Sequence, residues 1–336
     1  MTESLCLPNA SLYYLPDIST LPIKELDIHG NRFVGLDGLA DTLESVNVAD
    51  NRLEQDGLFL PFPQLKILHA EKNNLNIFDN DDFVTCFPSL TYLNLSHNKL
   101  RHTGFLREST VEHLDVAHNR LHLLSGLPQT LKTLIADTND ITMIQSKLPP
   151  ILESIDVTYN HLRFAGLPLN WPSTLRELHL DHNCIEKFPR KLPDSLEILS
   201  LTHNQISELP STLPPSLQYI TLSHNRIRFL PSYKQHKRFT IFLLDDNCLT
   251  ETPEDTIAKV FSADGNWNQE HHKEAQIKIK QCWKRYLLGL RLRQFSRTQK
   301  TKEELFIVSM MPERWQQIDA IDPIWSGHSR RPPHLG

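Results

Sequence analysis

The chain has 336 residues, of which 39% are apolar and 22% are charged, and its formal net charge is −5. Its length and apolar content suit an elongated repeat domain with a small second unit, and no apolar run approaches the length that spans a membrane. The sequence has no glycine-rich phosphate loop, no H-E-x-x-H motif and no G-x-S-x-G motif, which argues against the common nucleotide-dependent, zinc-dependent and serine-dependent enzymes. We therefore expect a non-enzymatic protein without a metal ion or cofactor.

One pattern recurs from near the N-terminus to about residue 250: apolar-x-x-apolar-x-apolar-x-x-Asn-x-apolar. We number its first apolar residue as position one and its asparagine as position nine; Leu217 to Asn225, LQYITLSHN, is one copy. Eleven asparagines complete the pattern, at intervals of 20 to 25 residues: Asn31, Asn51, Asn73, Asn98, Asn119, Asn139, Asn160, Asn183, Asn204, Asn225 and Asn247. The alternation predicts a short strand in each copy, and stacking the copies joins their apolar residues into one core. The asparagine is interpreted as a turn residue whose amide bonds backbone groups that would otherwise be buried without partners.

The pattern resembles the leucine-rich repeat family over about two-thirds of the chain. Copies five to nine carry a proline pair before the next strand: Leu127-Pro128, Leu148-Pro149, Trp171-Pro172, Leu192-Pro193 and Leu213-Pro214. Proline disfavours helix at and before its position, so the convex side is expected to be mostly extended or polyproline-like, as in the short Leu-Pro-x repeats of secreted bacterial effectors that these copies resemble. The longest interval, after Asn73, is expected to hold a short helical turn. The resemblance implies an α/β repeat fold, a right-handed solenoid with its parallel sheet on the concave side.

In chain order, residues 1–22 are predicted to cap the first strand, residues 23–250 to form the eleven repeats, and residues 251–336 to form a basic helical cap and tail. Residues 251–265 are expected to be a short terminal helix and connector. Residues 1–250 hold 21 Lys or Arg against 29 Asp or Glu, whereas residues 251–336 hold 14 against 11. The sequence therefore combines an acidic solenoid with a basic appendix.

The basic segment from Gln269 to Arg297 has Ile279, Trp283 and Tyr286 at helical spacing, with basic residues beside them. It resembles a degenerate IQ motif, which implies binding of a calmodulin-like protein. Two alternatives remain: a helix that caps the last repeat, which we favour, and a contact with nucleic acid or another anionic surface. The predicted tail contacts are Lys280, Trp283, Lys284 and Arg285. Repeats of irregular length followed by IK-x-x-W-K-R-Y also resemble uncharacterised leucine-rich repeat proteins of large DNA viruses that infect amoebae.

The candidate binding surface is the outward side of the strands, where positions two, three, five, seven and eight face solvent. Aromatic, histidine and acidic residues at these positions are the predicted contacts: Tyr92, His97, Asp115, His118, Asp156, Tyr159, His179, His182, His203, Tyr219 and His224. The excess of acids there favours a basic protein partner. The histidines at position eight are interpreted as polar surface rather than metal ligands, because a regular row lacks closed four-ligand geometry. Their protonation near pH 6 would modulate binding.

Three functions follow as hypotheses: a module that binds a protein through its concave face, a structural scaffold in a large assembly such as a virus particle, and a calmodulin-type regulator acting through the tail. Five dispersed cysteines, an odd number, predict reduced thiols and an intracellular setting, which would be the host cytoplasm or the virion for a viral protein.

Overall fold

The computed structural model describes residues 3–58, 61–76, 80–233, 236, 239–249 and 258–266. The chain divides into two units, residues 1–275 and 276–336, and every described residue belongs to the first. Within these residues, no helix is both long and apolar enough to cross a membrane.

The described part of the chain forms one parallel sheet of thirteen strands and a second sheet of two. The strands of the large sheet have three residues each: β1 (Ser4–Cys6), β2 (Glu25–Asp27), β3 (Ser45–Asn47), β4 (Ile67–His69), β5 (Tyr92–Asn94), β6 (His113–Asp115), β8 (Thr133–Ile135), β10 (Ser154–Asp156), β11 (Glu177–His179), β12 (Ile198–Ser200), β13 (Tyr219–Thr221), β14 (Ile241–Leu243) and β15 (Val260–Ser262). The small sheet pairs β7 (Leu123–Leu124) with β9 (Met143–Ile144). Neighbouring strands of the large sheet align position four with position four, as Leu114 aligns with Leu134. The predicted solenoid with a parallel sheet is confirmed.

Each of the eleven predicted strands is present, and the sheet extends by one strand at each end. β1 pairs with β2, and β15 pairs with β14. The terminal helix and connector expected over residues 251–265 is not what the described residues of that segment form, because residues 258–266 contain β15 and its turn. Ala258, Phe261, Ala263 and Asn266 fill positions one, four, six and nine. Because alanine stands at positions one and six, where most other copies have larger apolar residues, the sequence pattern does not identify this copy.

The side of the solenoid away from the large sheet has little helix. Its α-helices within the described residues are α1 (Gln55–Leu58) and α2 (Asn80–Cys86), and short 3₁₀ turns span Gly104–Leu106 and Phe164–Gly166. α2 is the helical turn that we predicted after Asn73. Between residues 127 and 217 the second 3₁₀ turn is the only helical segment, and the rest of the chain there consists of short strands, turns, bends and irregular segments. In each of the five proline pairs, the proline carbonyl accepts a hydrogen bond from the leucine N–H at position one of the next strand, at 3.1 to 3.3 Å.

The core is a continuous column of the apolar residues at positions one, four and six, as in Leu131, Leu134 and Ala136, which are fully buried. The asparagine at position nine, which follows the strand, is also buried, and its hydrogen bonds join two repeats. Asn160 Nδ2 donates to the carbonyls of Val157 and Thr158 in its own repeat, at 3.0 and 3.1 Å, and to that of Ala136 in the preceding repeat, at 3.1 Å.

The Asn160 Oδ1 accepts from the Ile141 N–H at 2.9 Å, so both ends of this amide are used in closing the turn. The same arrangement recurs along the solenoid up to Asn266. The structural role predicted for the asparagines is confirmed.

Candidate functional site

The acidic residues at position five are less accessible than strand alternation suggests. Asp115 and Asp156 each expose 7% of their surface. Parallel strands about 4.8 Å apart bring equivalent side chains close enough to cover one another. The Oδ1 of Asp115 accepts from the N–H of Ala117, and the Oδ1 of Asp156 accepts from that of Thr158, both at 2.9 Å. These carboxylates therefore cap the backbone at position seven.

Burial also changes the charge of this row of acids. Desolvation raises the pKa of Asp115 to about 7, the hydrogen bond from Ala117 opposes that rise, and the nearby charge of Asp137 adds to it. Burial likewise raises the pKa of Glu71 to about 7 and lowers the pKa of His69 to about 4. The centre of the strand face thus carries less negative charge at neutral pH than its composition implies.

Aromatic side chains at position three lie half-buried beside this row. The Tyr92 ring centroid lies 5.0 Å from that of His69 and 6.5 Å from that of His113. Burial raises the pKa of Tyr92 well above its usual range, so its hydroxyl stays protonated. Tyr219 is half-buried. Its register partners are Ile198 on one neighbouring strand and Ile241 on the other.

His179, also half-buried, is in register with Asp156 on one side and with Ser200 on the other. Of the predicted contacts on the strands, Tyr92, Tyr219 and His179 therefore keep partial access to solvent, and Asp115 and Asp156 keep little.

Position eight is the point at which the backbone turns sharply off the sheet. Non-glycine residues there have φ between 50° and 56°, in the left-handed region, and Gly30 and Gly265 occupy it with φ of 68° and 74°. The residues at this position are Gly30, Asp50, Lys72, His97, His118, Thr138, Tyr159, His182, His203, His224, Asp246 and Gly265. Histidine and aspartate tolerate this conformation better than most residues. A uniform backbone conformation projects all these side chains in one direction along one edge of the sheet.

Four of the predicted contacts form a continuous stack at this edge, which we call the ring ladder: Tyr159, His182, His203 and His224. Successive ring centroids are 4.0, 4.2 and 4.0 Å apart, and the interplanar angles are 18° or less. His224 Nε2 lies 3.4 Å from Asp246 Oδ2 at the end of the stack. Partial burial and the charge of His224 lower the pKa of His203.

His97 and His118 stack separately, with centroids 4.1 Å apart. The sequence shows that position eight is rich in histidine. It does not show that the rings stack, because this depends on the backbone turn.

Charged residues at position two compensate one another across strands. Lys132 Nζ lies 2.5 Å from Glu112 Oε2, and Arg176 Nη1 lies 2.7 Å from Glu197 Oε1. Lys66 Nζ makes a similar contact with Glu44 Oε2 at 2.6 Å. This part of the acidic excess is therefore balanced locally.

In the part of the chain that the structure describes, no three His, Cys, Asp or Glu side chains are grouped to hold a metal ion. The predicted tail contacts Lys280, Trp283, Lys284 and Arg285 lie outside the described residues, as does the rest of the IQ-like segment. The scaffold and calmodulin hypotheses therefore stay predictions.

Comparison with known proteins gives family-level matches. A family model described as Leucine Rich Repeat matches residues 89–109 and 195–215, and a second, Leucine Rich repeat, matches 172–187. Human lumican is 33% identical over 171 residues, covering 43% of this chain and 51% of lumican. Lumican of the rabbit Oryctolagus cuniculus is 30% identical over 159 residues, covering 44% of this chain and 80% of that relative.

This chain thus spans about half the length of human lumican but most of the rabbit sequence. Among solved structures, YopM, a leucine-rich effector protein of Yersinia pestis, superposes with a TM-score of 0.61 at 26% identity, covering 79% of this chain and 78% of YopM.

Proposed function

Since this chain belongs to the leucine-rich repeat family, whose members generally mediate contacts between proteins, we propose that it is a non-enzymatic module that binds a protein partner through its strand face and ring ladder. The ring ladder carries the proposal. Aromatic side chains supply large contact area at protein interfaces, and preorganised groups bind with a smaller loss of conformational freedom. Tyr159 is 47% exposed at one end of the stack, where a partner can reach it.

The chemistry of the surrounding groups supports binding rather than catalysis. Asp181 accepts from Ser200 Oγ at 2.5 Å and from the Thr202 N–H at 2.6 Å. Asp245 accepts from Ser262 Oγ at 2.5 Å and from the Asp264 N–H at 2.7 Å. These bonds are made by the Oδ1 of each aspartate and hold the turns of the solenoid, which is a structural use of the carboxylates.

We propose further that the partner is basic and that the protein acts inside a cell. Acids outnumber basic residues in the first 250 residues, which supports the first point. Cys6, Cys184 and Cys248 are dispersed and form no disulfide bond within the described residues, which supports the second.

Affinity capture tests the function. The full chain, immobilised, is exposed to a lysate of amoebae, the hosts that the viral resemblance implies, and retained proteins are identified by mass spectrometry. The test variant carries Tyr159→Asn, His182→Asn and His203→Asn, because asparagine tolerates the left-handed backbone while removing each ring. The matched control is Phe229→Asn, which removes a ring that is 73% exposed but lies outside the ladder.

We expect the wild type and the control to retain the same protein, and the triple variant, with unchanged circular dichroism, to lose at least about tenfold in retention, as for loss of an aromatic anchor. Equal retention by the triple variant would refute the role of the ring ladder.

A further inference from the structure

A set of exposed apolar side chains lies on the side of the solenoid away from the large sheet. The strands of the small sheet, β7 and β9, are in register, with Leu123 beside Met143 and Leu124 beside Ile144. Leu124 and Ile144 are buried in the core, whereas Leu123 is 37% exposed and Met143 is 49% exposed. The inward side chains of these two strands therefore fill the core, and the outward ones form an apolar surface.

This apolar surface continues into the next repeat at Phe164. The 3₁₀ turn Phe164–Gly166 packs against β9, and a Cβ added at Gly166 would lie 2.1 Å from the Thr142 carbonyl oxygen. Leu123, Met143 and Phe164 each stand four residues after the asparagine of their repeat, and we call this row the back strip. Consecutive strands of a sheet are about 4.8 Å apart, so the back strip crosses three repeats over about 10 Å.

Basic side chains stand at one end of the back strip. Lys187 occupies the same position in the following repeat, and its Nζ lies 5.9 Å from the centroid of the Phe164 ring. The Arg190 Cζ lies 4.8 Å from the same centroid. Arg163 Nη1 lies 3.7 Å from Glu186 Oε1, whereas Lys187 and Arg190 form no ion pair within the described residues. Three cations thus stand beside one carboxylate at this end.

Charge is divided between the two sides of these repeats. In residues 111–195, the copies of the nine-residue pattern hold 2 Lys or Arg and 7 Asp or Glu, whereas the segments between the copies hold 6 and 3. The copies form the strands of the large sheet and their turns, and the segments between them form the opposite side. The side that carries the back strip is therefore suited to an acidic partner. The four copies are residues 111–119, 131–139, 152–160 and 175–183.

We propose that the back strip binds an amphipathic α-helix of an acidic protein partner, laid across the repeats with its apolar face on the strip and its acidic residues toward Lys187 and Arg190. A helix rises about 5.4 Å per turn, which is close to the spacing of the repeats, so apolar residues one turn apart meet successive repeats. The flexible side chain of Met143 can adapt to such a partner. The back strip is separate from the ring ladder, so this inference goes beyond the proposed function and does not depend on it.

An anionic lipid surface is the alternative occupant. Binding to a bilayer buries apolar side chains below the level of the headgroups, so these side chains have to project beyond the charged ones. The Phe164 ring lies under the Arg190 guanidinium, and Leu123 and Met143 each keep less than half of their surface exposed. The back strip therefore suits a helix that packs against it better than a membrane.

The test measures the fluorescence anisotropy of a labelled, hydrocarbon-stapled helical peptide that is titrated with the full chain. The peptide has leucine at i, i+4, i+7 and i+11 and glutamate at the flanking positions. In one comparison peptide lysine replaces each glutamate, and in the other glutamine replaces each leucine. We expect saturable binding of the acidic peptide, and affinities at least about tenfold weaker for both comparison peptides.

The apolar part of the site is tested with Met143→Glu. This substitution removes the central side chain of the back strip and adds a repelling charge, so the acidic peptide should bind at least about tenfold more weakly. The matched control is Phe229→Glu, which makes the same charge change at the same position of another repeat, where the ring is 73% exposed. The control should bind like the wild type, and it also accounts for any binding of the peptide elsewhere on the chain.

The basic part of the site is tested with Lys187→Glu and Arg190→Glu together. This double variant should bind the acidic peptide at least about tenfold more weakly, and its binding should depend less on salt than that of the wild type. The matched control is Arg226→Glu with Arg228→Glu, which reverses two exposed charges in another repeat and should bind like the wild type. Circular dichroism checks that every variant is folded.

Four results would overturn the proposal: no saturable binding of the acidic peptide, equal binding of the lysine peptide, equal binding by Met143→Glu and the wild type, or equal weakening by Phe229→Glu. Retention on phosphatidylserine vesicles that Met143→Glu abolishes, without peptide binding, would assign the back strip to lipid instead. The triple variant of the ring ladder keeps the back strip and should bind the peptide like the wild type. If it loses peptide binding, the peptide lies on the ring ladder and this inference fails.

Discussion

Replacing Asp115 by asparagine is expected to stabilise the protein strongly at pH 8 and only slightly at pH 4.5. The Asp115 carboxyl is buried, its pKa is raised to about 7, and its Oδ1 accepts the Ala117 N–H. Asparagine cannot ionise but keeps that acceptor. Asn47 and Asn94 occupy position five in other repeats and accept from the Ala49 and Ser96 N–H groups in the same way, at 3.1 and 2.9 Å.

The sign follows from linkage between protonation and folding. An aspartate in the unfolded chain has a pKa of about 3.9, so the folded protein holds this proton more tightly. The stability that this proton contributes is therefore fully present below about pH 4 and is lost as the pH rises from about 4 to 7. A difference of about three pKa units corresponds to at most about 4 kcal/mol, since each unit is worth about 1.4 kcal/mol. At pH 4.5 the remaining difference is about 1 kcal/mol.

Urea denaturation followed by circular dichroism, on wild type and Asp115→Asn at both pH values, measures this effect. Glu71, whose pKa is also raised to about 7, contributes pH dependence to both proteins, so the comparison is between the two proteins at each pH. The midpoints are compared at equal slope, because a changed slope would signal a change in how the repeats unfold together. If the variant is no more stable than the wild type at pH 8, the Asp115 carboxylate is ionised and solvated in the folded protein. Asp115 would then be accessible to a partner, as the sequence predicts.

Three further substitutions test which interactions stabilise the solenoid. Asn160→Ala removes three donated hydrogen bonds and one accepted bond in the middle of the solenoid, so we expect a loss of about 2 to 5 kcal/mol in urea denaturation, and a loss below about 1 kcal/mol would contradict the role given to this amide. Gly265→Ala would place its Cβ 2.0 Å from Asp246 Oδ1 at a φ of 74°, so hydrogen exchange should accelerate at β15 and stay unchanged at β8; uniform exchange would count against local strain. Glu112→Gln breaks the contact with Lys132, but these side chains are 35% and 39% exposed, so stability should change by less than about 0.5 kcal/mol, and a larger change would show that the exposed pair matters.

The fold was predictable because the asparagine side chain forms hydrogen bonds to the buried backbone groups of the turn in every repeat. A buried turn leaves several backbone groups to satisfy, and the asparagine amide does this with two N–H groups and one oxygen. The spacing of the asparagines along the sequence therefore gives the length of each repeat directly. The sequence pattern does not identify the copy that ends at Asn266, because Ala258 and Ala263 replace larger apolar residues, although its asparagine makes the same bonds to Leu244 and Ala263.

The candidate site was predictable only in part. Alternation places Asp115 on the outward side of β6 but says nothing of how closely its neighbours cover it, and the pKa shift follows from that cover. Likewise, the sequence shows which residues occupy position eight, but the stacking of their rings depends on the shared left-handed backbone. The viral resemblance and the roles of the tail stay predictions.

The direction of the asparagine bonds has a consequence for synthesis on the ribosome. Asn183 donates to the Val157 carbonyl and accepts from the Leu162 N–H, both of the repeat before it, and Asn204 does the same for Leu180 and Ile185. A nascent chain emerges N-terminus first, so each turn is completed only when the next asparagine leaves the exit tunnel. The growing solenoid thus always has one unfinished turn at its leading end, and Asn266 completes the turn of Leu244 and Leu249.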